Sequence, residues 1–159
     1  MTPNEIIISR AQLANAAEIL ALQKLAYRSE AELYNNYKLP PLVQTLDELE
    51  AELGQALCLK AVQDKRIVGS VRAREMDRTC HIGRLIVHPD LQGQGLGQRL
   101  LAAIEAEFPQ TKRFELFTGS HSESNLLFYE KLGYKQFAIK ALSPKVTLVF
   151  LQKPGPNTP

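Results

Sequence analysis

The residues that point most directly to chemistry are three glycines, Gly93, Gly95 and Gly97, at every second position of Gln92-Gly93-Gln94-Gly95-Leu96-Gly97-Gln98. Glycine has no side chain, so a loop of this kind leaves its backbone N–H groups open to a ligand. The residues before it, Leu85-Ile86-Val87-His88-Pro89, read as the end of an apolar strand and a turn. The residues after it, from Arg99-Leu100-Leu101, read as an amphipathic helix. The first N–H groups of a helix have no internal partner and carry partial positive charge. Strand, open loop and helix start together make a binding site for a phosphate or pyrophosphate.

Three kinds of phosphate site compete for this pattern. A dinucleotide site needs Gly-x-Gly-x-x-Gly early in a βαβ unit, with an acidic residue about 20 positions on. Here the spacing is Gly-x-Gly-x-Gly and it falls past mid-chain. A P-loop closes with Gly-Lys-Ser/Thr, whereas this loop closes with Gly97-Gln98-Arg99. The third pattern, Gln/Arg-x-x-Gly-x-Gly/Ala, is met by residues 92–97. It resembles the coenzyme A pyrophosphate loop of the GCN5-related N-acetyltransferase (GNAT) family. A second stretch, Asn125-Leu126-Leu127-Phe128-Tyr129-Glu130-Lys131-Leu132-Gly133-Tyr134, is similar to the family's closing motif. In that motif an Asn and a Tyr on one short helix approach the coenzyme, followed by Gly and an aromatic. The resemblance covers most of residues 5–152.

The resemblance implies transfer of an acetyl group from acetyl-CoA to a primary amine by direct attack in a ternary complex. It implies that the backbone of Leu85, Ile86 and Val87 meets the pantetheine arm and the thioester oxygen. Gln92, Gly93, Gln94, Gly95, Leu96, Gly97 and Gln98 would surround the pyrophosphate, and Asn125 and Tyr129 would reach the arm. Tyr129 is also the candidate general acid. A phenol titrates at about 10, so it stays protonated at neutral pH and can donate to the departing sulfur. In histone-type members a Glu eleven residues before the loop Gln takes the amine proton, and here that position is His81. A histidine of reference pKa about 6.5 suits the task, and a structural His fits the position as well. Glu30 and Glu32 are alternatives, acting through water or holding a cationic amine.

Residues 27–52 correspond to the family's acceptor-dependent region, so Glu30, Tyr34 and Tyr37 are the expected substrate contacts. Acidic residues outnumber basic ones there, a balance weakly compatible with a positively charged acceptor. A small-molecule or peptide amine is the expected partner, and a homodimer stays open. The alternative function is a non-catalytic acetyl-CoA-binding sensor or regulatory module. A Cys nucleophile is disfavoured, because Cys80 and His81 are strand neighbours whose side chains point to opposite faces. His81, His88 and His121 lack ligand spacing, so no metal is expected.

Composition bounds the rest. With 159 residues, 45% of them apolar, the chain suits one domain with a sizeable core. A net charge of +2 gives no case for nucleic acid. No apolar run approaches the roughly 18 residues that span a membrane. Two cysteines make no disulfide framework, so a reduced, cytoplasmic setting is expected.

Elements must position the candidate residues. A strand is expected over 5–10, then a helix started by an Asn15/Glu18 capping box. Pro40 and Pro41 are expected to end any helix before them. A second capping box, Thr45/Glu48, starts a helix stopped near Gly54. Strands over 57–62, 67–74 and 80–87 form an antiparallel meander. A crossover helix with Leu96, Leu100, Leu101, Ile104 and Phe108 on one face leads to a strand over 113–118, parallel to the central strand. Ser120/Glu123 is expected to cap the Tyr129 helix. Gly133 ends it, and Tyr134 packs back on Phe128. Strands over 134–139 and 145–151 close a hairpin-like pair. The expected fold is α+β in α/β/α layers: a mixed, mostly antiparallel sheet with helices on both faces, as in the acyl-CoA N-acyltransferase (GNAT) fold. One domain is expected over 1–152, with a flexible Pro-rich tail over 153–159.

Overall fold

The computed structural model describes residues 5–157. Seven strands form one mixed sheet in the order β1-β2-β3-β4-β5-β7-β6. They are β1 (Ile7–Arg10), β2 (Leu57–Gln63), β3 (Arg66–Met76), β4 (Thr79–Val87), β5 (Arg113–Gly119), β6 (Lys135–Ser143) and β7 (Val146–Pro154). Four helices precede β2: α1 (Ala16–Ala26), α2 (Arg28–Tyr34), α3 (Pro40–Val43) and α4 (Leu46–Leu53). Helix α5 (Leu96–Ala106) links β4 to β5, and α6 (Glu123–Lys131) links β5 to β6. The β4–β5 pairing is parallel and all other neighbours are antiparallel.

Alternation along β2 separates the two layers. Leu59 and Ala61 join the core beneath α5, with Leu96, Leu100, Leu101 and Ile104. Cys58 joins the opposite core, with Ile19 and Leu22 of α1 and Leu49 of α4. Side chains of a regular strand repeat every second residue. In β4, however, Ile82 lies in the α5 core and Ile86 in the α1 core, although four residues separate them. Arg84 between them has φ 51°, and the β3–β4 register shifts beside it. This bulge turns the second half of the strand over.

Local chemistry explains most element boundaries. Thr45 Oγ1 accepts from Glu48 N–H at 3.2 Å and Glu48 Oε1 accepts from Thr45 N–H at 2.9 Å, closing the expected box. Asp64-Lys65 and Asp77-Arg78 make two tight turns, each with two positive φ values, although neither contains Gly. Gly133 (φ 98°) ends α6 as expected.

Several expectations are corrected. Asn15 does not cap α1; it closes a preceding 3₁₀ turn, Leu13–Asn15, by accepting from Gln12 N–H at 2.8 Å. Glu18 instead accepts from Ile67 N–H at 2.7 Å. Pro40 and Pro41 open α3 rather than end a helix, because their missing N–H groups fall where a helix needs none. Ser122, not Ser120, is the residue before α6. Tyr134 packs edge-on against Tyr129, with ring centroids 6.0 Å apart. Phe108 lies beyond the end of α5 and still packs on the core. Strand β7 runs through Lys153 to Pro154, and Gly155 N–H donates to Lys112 O at 2.8 Å. Thr158 and Pro159 lie outside the described residues. Among those residues no helix is long and apolar enough to cross a membrane.

Candidate active site

The site begins where β4 and β5 part. Their ladder holds only three pairs, Thr79↔Arg113, Cys80↔Phe114 and His81↔Glu115. Beyond them β4 stays with β3 as far as Val87, and β5 stays with β7 as far as Gly119. The space between encloses about 660 Å³. Its walls are residues 82–87 of β4, residues 116–119 of β5, the loop after β4, one side of α6, and residues from α1 to α3. The β4 edge facing the gap therefore has no strand partner there.

At one end, the loop after β4 turns into α5. His88 Nδ1 accepts from Asp90 N–H at 3.1 Å, which fixes the turn. Gly93 (φ 77°) and Gly95 (φ 84°) take left-handed conformations that side-chain-bearing residues rarely adopt. A Cβ at either would meet no atom within 4 Å, so the space over both is open. Gly95 is the residue before α5, and its carbonyl accepts from Arg99 N–H at 3.1 Å. Open amides at the start of an eleven-residue helix suit an anionic group.

Helix α6 supplies the opposite wall. Asn125 and Tyr129 are one turn apart and both face the cavity. Burial drives the Tyr129 hydroxyl far above the ordinary phenol range, and Tyr27 and Glu30 push it further. Tyr27 is also raised by burial, partly offset by Arg84 and Arg72. Glu30, on α2, is held by two donors from the α6 side. Ser122 Oγ donates to Glu30 Oε2 at 2.7 Å, and Asn125 Nδ2 donates to Oε1 at 3.3 Å. Tyr34 Oη lies 3.0 Å from Ser122 Oγ and accepts from His121 N–H at 2.8 Å. Each hydroxyl has one proton to give. With Ser122 donating to Glu30, Tyr34 donates to Ser122. The chain Tyr34–Ser122–Glu30 thus aims all its donors at one carboxylate.

The structure places most of the expected residues on this one cavity. Leu85, Ile86, Val87, Gln92, Gly93, Gly95, Leu96, Gly97, Gln98, Asn125, Tyr129, Glu30 and Tyr34 all line it. Gln94 is exposed and does not. Tyr37 is 64% exposed and stands outside, as does exposed Glu32. His81 also stands outside. Its side chain is 45% exposed, and its Nδ1 lies 3.0 Å from Glu115 Oε2 at the closed end of the β4–β5 ladder. The three histidines lie apart: His88 beside Asp90 and His121 stacked on Tyr34 at 5.2 Å.

Tyr27, Arg84 and Thr118 of the cavity escaped the sequence reading, as did Ser122, which is buried beside it against Glu30. Arg84 left a signal, a charged residue after Gly83 inside an otherwise apolar strand, which is where bulges occur. Thr118 Oγ1 accepts from Asn125 Nδ2 at 3.3 Å, a contact between β5 and α6 without local signature.

The splayed parallel pair, the open glycine loop and the helix bearing Asn and Tyr define an acyl-transferase fold. Residues 27–143 match the acetyltransferase (GNAT) domain, and the chain belongs to that family. The chain is similar in fold to the ribosomal-protein-S18-alanine N-acetyltransferase of Escherichia coli, with a TM-score of 0.78 and 16% identity, covering 98% of this chain and 99% of that one. It is equally similar to the PaiA N-acetyltransferase of Thermoplasma acidophilum, solved with coenzyme A, with a TM-score of 0.78 and 15% identity over 94% and 99% of the two chains. In sequence it is 25% identical over 136 residues to the UPF0157 protein YqkA of Bacillus subtilis. That stretch is 85% of this chain and 39% of YqkA, so the chain spans well under half of that relative's length.

Proposed function

We propose that this protein transfers an acetyl group from acetyl-CoA to a primary amine by direct attack in a ternary complex. One observation carries the reading: Gly93 and Gly95, with open space over both, line the same cavity as Tyr129. The loop and the start of α5 suit the diphosphate of the coenzyme. The unpaired edge of β4 suits its arm, which would lie along residues 85–87 as an added strand.

The chain's own groups then divide the work. A backbone N–H donor aimed at the thioester oxygen stabilises the charge that develops there, an effect of about 3–4 kcal/mol for one donor. Glu30 is the anionic group placed to hold an incoming ammonium and to pass its proton on, directly or through water. Ser122 and Asn125 keep that carboxylate oriented. In the reaction a C–N bond forms, the C–S bond breaks, and the amine gives up a proton. Tyr129, kept protonated by burial, donates to the leaving sulfur. We assign the amine proton to Glu30 rather than His81, because His81 faces Glu115 outside the cavity.

The test is release of free coenzyme from acetyl-CoA across a panel of amines. Tyr129→Phe is expected to lower kcat by at least about tenfold while the Kd for acetyl-CoA stays unchanged. Unchanged kcat would remove Tyr129 from the reaction.

A further inference from the structure

The cavity holds two opposite charges that do not pair with each other. Glu30 and Arg84 both line it, and neither takes part in an ion pair among the described residues. Arg84 Nε is buried with no hydrogen-bond partner. Next to it lies Arg72, whose side chain is 2% exposed and pairs with Glu52 at 2.9 Å. Gln23 and Gln44 take further Arg72 donors, yet Arg72 Nη1 is also without a partner. Glu52 is thus taken by Arg72, and Arg84 has no ion-pair partner of its own. A guanidinium cannot shed its proton to relieve this, so Arg84 keeps its positive charge at the cavity wall. Uncompensated buried charge is destabilising, and a donor left unmade is an invitation to an anion.

The bulge at Arg84 is what brings this side chain to the cavity, since a regular strand would have continued the alternation of β4. Apart from Glu30, the acidic residues that made residues 27–52 look suited to a plain cation do not line the cavity. Asp47 and Glu48 are exposed in the first turn of α4, and Glu52 is engaged by Arg72. Tyr27, Glu30 and Arg84 line the same cavity of about 660 Å³, a space of the size that one small molecule carrying both charges would occupy.

We propose that the acceptor is a small amine that also carries a carboxylate, with Arg84 and the Tyr27 hydroxyl receiving the carboxylate and Glu30 receiving the amine. This inference rests on the acetyltransferase reading above. It makes specificity a matter of two fixed charges of opposite sign, and Arg84 a binding residue for the acceptor alone.

The test compares matched acceptors, free amino acids against their carboxamides, by coenzyme release from acetyl-CoA. The carboxamides have the less basic amine, so free-base chemistry alone would favour them. The native protein is expected to prefer the acids by about 10- to 100-fold in kcat/KM, the scale of one charge-assisted pair. Arg84→Gln is expected to abolish that preference by lowering kcat/KM for the acids only, and Arg84→Lys to restore part of it. The Kd for acetyl-CoA is expected to stay within about twofold in both variants, since an unmade acceptor contact leaves coenzyme contacts intact. Equal use of acids and carboxamides by the native protein overturns the proposal. So does an equal fall for both in Arg84→Gln, or a loosened grip on acetyl-CoA. If no acceptor turns over, calorimetric titration of the amino acids into the protein with coenzyme A replaces the rate. Absence of binding by every acid then overturns the proposal. The acetyltransferase reading falls separately, by absence of a thermal shift with acetyl-CoA.

Discussion

Gly119→Ala tests whether the positioning of Glu30 depends on Tyr34. Gly119 closes β5, and a Cβ built there would lie 1.9 Å from Tyr34 Oη and 2.4 Å from its Cζ. The ring cannot simply swing aside. Tyr34 is 6% exposed, stacks on His121, and is held by Ser122 and the His121 N–H. Overpacking a filled site costs about 1–3 kcal/mol, and each lost neutral hydrogen bond adds about 1 kcal/mol. We expect Gly119→Ala to destabilise by about 3 kcal/mol, which in a chain of this size lowers Tm by about 6–12 °C. Because Tyr34 supports Ser122 and Ser122 supports Glu30, kcat/KM for the acceptor should fall by at least about tenfold while the Kd for acetyl-CoA holds. The control is Gly119→Ala in a Tyr34→Leu background. A leucine stops short of the colliding atoms, so the added methyl should then cost less than about 1 kcal/mol. The assay is a thermal melt of all four proteins in the cycle. An equal loss in both backgrounds would refute the steric link between Gly119 and Tyr34.

Other perturbations follow from the same contacts. Burial raises Tyr129, so its proton is lost only as pH climbs through that raised value. The kcat profile should show no alkaline limb from this group below about pH 10, and a limb near pH 8 that disappears in Tyr129→Phe would contradict it. Glu52→Gln leaves buried Arg72 without a carboxylate; since Glu52 is 37% exposed, we expect a modest loss of about 2 kcal/mol by urea unfolding. Burial alone would raise the Glu52 carboxyl, but Arg72, Gln44 and Arg84 together hold it below the usual range. The stability it contributes is therefore complete above the ordinary carboxylate range and is lost as pH falls through the lowered value. The gap between the native protein and Glu52→Gln should narrow below about pH 4, and a gap that widens there would reverse the argument. His81→Ala should leave kcat/KM and its acidic limb within about twofold of native, because the ring faces Glu115 and not the cavity; loss of the limb would return His81 to the chemistry.

What could be read in advance was whatever local periodicity encodes. The glycine loop, the Thr45–Glu48 box, the stripe of α5 and the one-turn spacing of Asn125 and Tyr129 depend on residues a few positions apart. So the family, the sheet and the meeting of the glycine loop with Asn125 and Tyr129 on one cavity were legible. The errors arose where two local signals competed. Asn15 and Glu18 have capping-box spacing, but Gln12 starts a 3₁₀ turn first and claims Asn15. Pro40-Pro41 reads as a stop, although proline serves equally at a helix start. The count that matches His81 to a family position carries no information on its surroundings, and the β4–β5 register sets it opposite Glu115. The contacts around Glu30 and Arg84 were illegible for a different reason. Ser122 reaches Glu30 across 92 positions of sequence, and Arg84 faces the cavity only because a bulge reverses its strand.

The short β4–β5 seam has a mechanical consequence. Strands β1–β4 and β5–β7 are two half-sheets stitched along three residue pairs, reinforced where Lys112 N–H donates to Arg78 O at 2.8 Å. Above that stitching the sheet is interrupted, and an extended ligand arm running beside β4 would act as an eighth rung that bridges the halves. Amide hydrogen exchange along residues 82–87 should accordingly slow when coenzyme enters, so that the empty protein is the slacker of the two and the substrate itself finishes the sheet.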